Sequence, residues 1–283
     1  MNGPNRKQLF IDRILVAVDS STEQLRTLEA AADLAALLQA DLFALFVEDP
    51  RLLQLEELPS TRRINLPQGF GSEIEKGSME RELRALARRS EQIIARASEQ
   101  RRVNWSFRVV RGSLVEQLRD VLMEGDLVVA ESAGRSIRFG MRMKPPTRQA
   151  AQDIEGPVLF LQHGPRPTRS VVAVYDGGYE SEAVLEAAVR LIGGPVTLLT
   201  VLLPAESREE ADELQDEADA FLSQEGIPAH FRRIAPDSVE WVVNALDALH
   251  GDILVQGASS RSLQDGGIDA LLESVDCPVL LIR

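Results

Sequence analysis

The chain contains one order of sequence landmarks twice. Each half opens on an apolar segment that ends in aspartate, passes through a Gly-Asp step that leads into apolar residues, and closes on an apolar segment that follows proline. In the two halves these landmarks are 14–19 and 171–176, 125–129 and 251–255, and 157–161 and 278–282. A repeated unit of this length can bury its own core, so it is a domain and not a solenoid repeat. The chain is therefore predicted to consist of two copies of one domain.

An alternation of strand and helix patterns predicts the fold of each copy. Short apolar runs alternate with helical spacing of apolar residues, which is typical of βαβ units and a parallel sheet. Runs that are apolar at nearly every position, such as 42–47, indicate that both faces of the sheet are covered. Strands are predicted at 13–19, 41–47, 105–110, 126–131 and 157–162, and again at 170–176, 196–203, 230–235, 252–257 and 278–283. Helices are predicted at 21–39, 79–101, 113–124 and 147–154, and again at 180–192, 207–225, 238–250 and 267–274. The predicted fold class is α/β.

The domain organisation follows from the repeat and from the segments that break it. We expect the first domain at 1–165 and the second at 168–283, joined by the short, stiff linker 164–168. Residues 49–78 have almost no counterpart in the second half and contain several Pro and Gly residues, so they are predicted to be an irregular insertion.

The closing segments of the two halves are both apolar, and an unpaired apolar strand edge promotes aggregation. We therefore expect strands 157–162 and 278–283 to lie side by side about a pseudo-twofold axis within one chain. The expected assembly is a monomer of this kind or a weak homodimer.

Charge and composition exclude several classes of protein. Residues up to Arg166 carry 24 Lys and Arg against 23 Asp and Glu, and the remainder carry 7 against 21, so the halves have net charges of +1 and −14. The acidic second half disfavours nucleic acid as a partner. No apolar segment is long enough to insert into a membrane. The single cysteine, Cys277, excludes an intrachain disulfide and fits a cytoplasmic location, and its place before an apolar strand predicts a buried, inert thiol.

The landmarks, taken in order, resemble those of the universal stress protein family. They are a first strand that ends in Val18-Asp19, Arg111-Gly112-Ser113 before a helix, the Gly-Asp segment 125–129, and the closing segment 276–283. The resemblance covers both halves. It implies a tandem universal stress protein, in which each half is a five-stranded parallel sheet with helices on both faces and the two halves pair internally as a pseudo-dimer.

The resemblance also implies where a nucleotide would bind. Members of the family that bind ATP carry, after the fourth strand, Gly, two residues, Gly, nine residues, and Gly followed by Ser or Thr, and the backbone N–H groups of this loop can hold phosphates. The four positions are Glu131, Gly134, Lys144 and Pro145 in the first half, and Gly257, Ser260, Ala270 and Leu271 in the shortened loop of the second. Gly266-Gly267 is a candidate remnant of this loop. Each half keeps one glycine of the motif, and neither keeps the whole phosphate loop.

Two aspartates match the family position that contacts the adenine end of the nucleotide. They are Asp19 and Asp176, each at the end of the first strand of its half. The other interpretation is that each aspartate caps the helix that follows it. Both interpretations stay open at this point.

A basic segment follows the fourth strand of the first half. Its basic residues are Arg135, Arg138, Arg142, Lys144 and Arg148, with no acidic residue between Glu131 and Asp153. Arginine binds phosphate or carboxylate with two parallel hydrogen bonds. The segment is therefore either an anion site at the carboxyl edge of the sheet or a solvated loop.

No motif in the sequence indicates catalysis or a metal. The histidines at 163, 230 and 250 have no metal-ligand spacing, and neither a nucleophile elbow nor a Walker loop is present, so we expect no enzyme activity. We predict a cytoplasmic stress-response module with degenerate nucleotide sites and no cofactor, which binds a protein partner or a small anionic ligand.

The alternative is a switch that binds ATP or another adenylate in a divergent pocket. In the first half that pocket would contain Asp19, Gly134, Arg135 and Arg138, and in the second half Asp176, Gly257 and Ser259. A third interpretation is a hydrolase of the bound nucleotide, although no motif places a general base.

Overall fold

A computed structural model of the chain describes residues 11–18, 25–48, 50, 62–64, 71–73, 78–131, 136–138, 141–143, 154–162, 170–192, 198–264 and 266–283. The strands of the first half are β1 (Arg13–Val18), β2 (Asp41–Glu48), β3 (Arg62–Ile64), β4 (Gly71–Glu73), β5 (Trp105–Arg111), β6 (Asp126–Glu131), β7 (Ser136–Arg138), β8 (Met141–Met143) and β9 (Val158–Leu161). Those of the second half are β10 (Ser170–Val174), β11 (Leu198–Pro204), β12 (Ala229–Ile234), β13 (Ile253–Gly257) and β14 (Val279–Ile282). The helices are α1 (Leu25–Leu38), α2 (Ser78–Arg101), α3 (Leu114–Val121), α4 (Ser181–Leu191), α5 (Arg208–Glu225), α6 (Val239–Leu249) and α7 (Gly267–Ser274), with a 3-10 turn at Arg261–Leu263.

Ten of these strands form one continuous sheet. Their order is β12-β11-β10-β13-β14-β9-β6-β1-β2-β5, so each half contributes five strands in the same internal order. Within this sheet, all strand pairs that belong to one half are parallel. The predicted α/β class and the predicted five-stranded parallel sheet in each half are confirmed.

The two halves meet where β14 pairs with β9 in antiparallel fashion. Leu280 lies opposite Leu159, and the flanking pairs are Val279 with Phe160 and Leu281 with Val158. In the sequence repeat, Leu280 is the counterpart of Leu159. The register is therefore unchanged when the halves are exchanged, as a local twofold axis requires. The expectation that the closing strands lie side by side is confirmed.

The residue that follows each closing strand reaches across to the other half. Gln162 is buried, and its amide donates a hydrogen bond of 3.0 Å to the carbonyl oxygen of Leu272 in α7. Arg283, its counterpart in the repeat, donates to the carbonyl oxygen of Ile154 in the first half. These reciprocal contacts extend the junction beyond the two strands.

Alternate residues of each strand lie in two separate apolar layers. In β1, Ile14 and Val16 belong to the layer that includes α1, whereas Leu15 belongs to the layer on the opposite face, and all three are fully buried. Because both faces are covered, the strands are apolar at nearly every position.

The Gly-Asp landmark anchors the amino end of each sheet. The carboxylate of Asp126 is buried and accepts hydrogen bonds from Arg13, at 2.7 Å from Nε and 2.6 Å from Nη2, and from the backbone N–H of Met123 at 2.7 Å. The hydrogen bond to Asp126 raises the pKa of Arg13 above its ordinary value. In the second half, Asp252 accepts from the backbone N–H of Ser170 at 3.1 Å and from its hydroxyl at 3.3 Å. The landmark therefore joins the start of β1 to that of β6, and the start of β10 to that of β13.

Two short antiparallel ribbons were not predicted. Strands β3 and β4 pair within the insertion 49–78, which was predicted to be irregular, and β7 pairs with β8 within the basic segment. Each of these strands has three residues, which is too short for an alternating pattern to be recognised. The predicted helix at 147–154 and the domain boundaries at 165 and 168 lie outside the described residues, apart from Ile154, which is not helical.

No helix among the described residues is both long enough and apolar enough to cross a membrane.

Candidate functional site

The carboxyl ends of β10 and β13 bring the predicted site residues of the second half to one edge of the sheet. The two strands pair in parallel, with Ala173 opposite Val255. Asp176 follows β10, Gly257 ends β13, and Ser259 lies two residues beyond it. Ligands of open α/β sheets bind at this edge.

Asp176 holds the beginning of the next helix. Its Oδ1 accepts hydrogen bonds from the backbone N–H of Gly178 at 3.0 Å and from the hydroxyl of Ser181 at 2.8 Å. Its own backbone N–H donates to the Ser181 hydroxyl at 3.3 Å. Ser181 is the first residue of α4, so Asp176 positions the start of this helix without capping one of its backbone N–H groups. Oδ2 makes no hydrogen bond with the described residues, so one oxygen of this half-buried carboxylate is available to a ligand.

Glu180 occupies the space above the loop that follows β13. Its carboxylate accepts hydrogen bonds from both donors of Ser259, with Oε2 at 2.8 Å from the backbone N–H and Oε1 at 3.0 Å from the hydroxyl. A Cβ placed on Gly257 would lie 2.5 Å from Oε2, so glycine at this position permits the contact. An acidic side chain thus binds a backbone N–H group at the place where the family motif would hold a phosphate. The sequence did not predict Glu180 as a residue of this site.

The rest of the shortened loop is packed against the sheet. Ser260 is buried, and its hydroxyl lies 3.4 Å from that of Ser262. The Ser262 hydroxyl in turn accepts a hydrogen bond of 2.7 Å from the amide of Gln256. Ala270 and Leu271 lie inside α7, and the Leu271 side chain is fully buried. Ser260 and Leu271 therefore face the protein interior.

The first half presents a carboxylate at the corresponding place. Glu131 ends β6, at the position that Gly257 occupies in β13, and its Oε1 accepts a hydrogen bond of 2.6 Å from the hydroxyl of Thr27. Thr27 is a buried residue of α1. Each half therefore has an acidic side chain at the corresponding strand end. Glu131 lies at the end of β6, and Glu180, from a different position in the repeat, lies at the end of β13.

The remaining predicted residues of the first half are described in part. Arg138 ends β7 and Arg142 lies in β8, so the ribbon carries both. The other predicted residues, Asp19, Gly134, Arg135, Lys144, Pro145 and Arg148, lie outside the described residues.

An acidic helix lies against the same half of the sheet. Its buried residues, Ala211, Ala218 and Leu222, form the contact face of α5. The hydroxyl of Tyr175 donates a hydrogen bond of 3.2 Å to Glu217 on this helix. Burial, reinforced by the charge of Glu217, raises the pKa of Tyr175 above its ordinary value of 10.0. The residues that the structure describes contain no cluster of three or more His, Cys, Asp or Glu side chains that could hold a metal ion.

Comparisons with known proteins agree with this architecture. The model of the universal stress protein family matches residues 11–162. The solved structure of a universal stress protein from Archaeoglobus fulgidus is similar over 97% of this chain and 98% of its own, with 14% sequence identity and a TM-score of 0.69. A structure from Pseudomonas aeruginosa that is assigned to the same family is similar over 96% of this chain and 93% of its own, with 16% identity and a TM-score of 0.58. No curated protein matches the chain. Because the family model covers more than half of the chain and both structures extend the same fold over nearly all of it, the chain belongs to the universal stress protein family, as a tandem member.

Proposed function

We propose that this protein is a binding and regulatory module of the cytoplasmic stress response, whose nucleotide sites no longer take phosphate in the manner of the family motif. The observation that carries the proposal is the contact between Glu180 and Ser259. A backbone N–H that could bind phosphate is already bound to a carboxylate at 2.8 Å. The proposed partner is a protein or a small anionic ligand.

The charge of Glu180 opposes a phosphate group directly. Two like charges about 4 Å apart repel by about 1 kcal/mol in water and about 4 kcal/mol at a partly buried site. That range corresponds to an increase in Kd of about fivefold to about a thousandfold. A phosphate that displaced Glu180 would instead break its two hydrogen bonds to Ser259. Either route weakens binding at this loop.

The protein is proposed to bind its ligand without turnover. The carboxylates at the ends of β6 and β13 accept hydrogen bonds from Thr27 and Ser259, which hold these side chains in place. A general base must instead be aimed at a substrate proton.

The second candidate function is an adenylate switch, and the available oxygen of Asp176 favours it. Oδ2 could accept a hydrogen bond from the ribose or adenine part of a ligand while Oδ1 keeps its contacts to Gly178 and Ser181. In this case Gly257 and Ser259 would border the ligand, and Asp19, Gly134, Arg135 and Arg138 would serve the first half. Such a pocket would have little preference for a triphosphate.

Calorimetric titration with Mg-ATP and with adenosine separates the two candidates. We expect no micromolar binding of Mg-ATP to the natural protein, and tighter binding after Glu180→Gln, because the substitution removes the opposing charge. Glu213→Gln is the matched control, since it makes the same change in charge on the exposed surface of α5. Tight Mg-dependent binding of ATP to the natural protein would contradict the first proposal, and mass spectrometry of the small molecules released on denaturation would identify a resident adenylate.

A further inference from the structure

A cleft of about 350 Å³ opens at the outer edge of the second half, away from the site between β10 and β13. It lies at the carboxyl ends of β11 and β12, beside α6. Its lining includes Ala205, Arg232, Ile234, Ala235, Trp241 and Asn244. Cavities of this size are large enough for a small organic ligand.

Two alanines that line the cleft lie where the first half has large charged side chains. In the first half, Glu48 lies opposite Arg111 at the ends of β2 and β5, and its Oε2 accepts hydrogen bonds from Nη2 at 2.9 Å and from Nε at 3.1 Å. In the second half, Pro204 lies opposite Ile234, so the next pair in the register is Ala205 and Ala235. Two methyl groups thus stand where the first half has a carboxylate and a guanidinium.

The walls of the cleft suit an aromatic ring. Trp241 is 52% exposed, although it is a large apolar side chain on a packed helix. The opposite surface contains Ala205, which is buried, and Ile234, which belongs to the apolar layer on this face of the sheet. A flat ligand could stack on the half-exposed indole, which gains both hydrophobic burial and an aromatic contact.

Two arginines and one acidic residue, Glu206, line the cleft, so its charged lining is net positive. Arg232 alternates with Ile234 along β12, so both lie on the face of the sheet that packs against α6. Arg233 donates to the carbonyl oxygens of Ala205 at 3.2 Å and Glu206 at 2.8 Å. Both arginines line the cleft, in a half with only 7 basic residues against 21 acidic ones. The exposed guanidinium of Arg232 can pair with one anionic group, while the acidic surroundings repel multiply charged ligands.

We propose that this cleft binds a small aromatic acid with a single negative charge. The ring stacks against Trp241, and the carboxylate pairs with Arg232 and accepts a hydrogen bond from the amide of Asn244. The proposal is independent of the nucleotide sites, because it uses no residue of the edge between β10 and β13.

The probe is 2-naphthoate, titrated into the ¹⁵N-labelled full chain and followed by NMR. The chain has 2 tryptophans, so two indole N–H signals are expected, and Trp241→Phe assigns them. We expect the Trp241 signal to shift to saturation while the Trp105 signal stays in place. The neutral isostere 2-naphthamide should bind about tenfold more weakly, since the charged hydrogen bond to Arg232 is lost. Acetate, which has no ring, should leave the Trp241 signal unchanged.

Three variants test the geometry. Arg232→Gln should raise Kd about tenfold, whereas Arg208→Gln, an equal change of charge at an exposed position on α5, should leave it unchanged. The double substitution Ala205→Glu with Ala235→Arg places large charged side chains at two positions that line the cleft and should weaken binding. If the double variant does not fold, Trp241→Ala gives the same test by calorimetric titration with 2-naphthoate, because that side chain is half exposed and its removal leaves the core intact.

Three results would overturn the proposal. The first is equal binding of naphthoate and naphthamide, and the second is an equal effect of Arg232→Gln and Arg208→Gln. The third is unchanged affinity after Trp241→Ala.

Discussion

The Gly-Asp landmark places an aspartate at the same position in each half, so Asp126→Ala and Asp252→Ala are equivalent substitutions. We expect them to lower the free energy of unfolding by different amounts. Asp126→Ala leaves the guanidinium of Arg13 without its carboxylate, where Arg13 is 22% exposed and Asp126 is 2% exposed at the side chain. It also removes the acceptor of the Met123 N–H. Breaking a buried ion pair by deleting one partner costs about 3–5 kcal/mol. Arg13 keeps its hydrogen bond of 2.8 Å to the carbonyl oxygen of Val121 and its contact with the ring of Phe43, so we expect about 3 kcal/mol.

Asp252→Ala removes the hydrogen bonds to the neutral residue Ser170. Ser170 donates from its backbone N–H and its hydroxyl, and neither group is left as an unpaired charge. We expect a cost of about 1–2 kcal/mol. The difference between the two variants is therefore expected to be about 1–2 kcal/mol.

Urea denaturation followed by circular dichroism measures both variants against the natural protein. A third variant, Arg13→Ser with Asp126 kept, places in the first half the residue pair that the second half uses. It should also be destabilised by about 3 kcal/mol, because the buried carboxylate of Asp126 then lacks its cation. Equal costs for Asp126→Ala and Asp252→Ala, or a larger cost for the latter, would refute the reasoning that the ion pair makes the first landmark more sensitive.

Three further outcomes are expected. In a Tyr179→Phe variant, whose remaining tyrosine is Tyr175, absorbance at ~295 nm should not rise until the pH exceeds 10.0, because burial raises the pKa of Tyr175. The stability that this shift contributes is present below pH 10.0 and is lost as the pH rises through the folded pKa. An ordinary tyrosine titration curve would contradict the raised pKa. Leu280→Asp puts an unpaired charge at the centre of the junction between the halves and should cost about 4 kcal/mol or more, seen as a lower urea midpoint, whereas an unchanged midpoint would show that the junction does not stabilise the fold. Cys277 is 5% exposed and should react with a thiol reagent only as the protein unfolds, so rapid, complete labelling of the native protein would contradict its burial.

The fold was largely predictable because its strands are long and apolar on both faces. The apolar run 42–47 is enough by itself to predict a strand that is covered on both faces, and β2 is found at Asp41–Glu48. The closing strands were recognised because an apolar edge must be paired. The ribbons β3–β4 and β7–β8 were not predicted, because strands of three residues are too short to show an alternating pattern of apolar and polar side chains.

The site was less predictable because its chemistry depends on tertiary contacts. Glu180 and Ser259 are 79 positions apart, and no spacing in the sequence joins them. Asp176 fitted both a helix cap and a nucleotide ligand, and only the geometry shows Oδ1 bound to Ser181 with Oδ2 left over. The cleft beside Trp241 is lined by Ala205 and Ala235, and their difference from Glu48 and Arg111 becomes visible only when the two halves are placed in the same register.

The antiparallel junction also determines how the two halves can change over time. Because β9 and β14 run in opposite directions, the carboxyl edges of the two halves face opposite ends of the molecule, too far apart for one small ligand to touch both. In a symmetric pair of identical chains, every substitution would appear at both ends at once. Here one end can acquire Glu131 while the other acquires Glu180, and the cleft beside Trp241 can open without loosening the Glu48–Arg111 pair. Fusion of the two copies therefore frees each end to acquire its own specificity under a shared core.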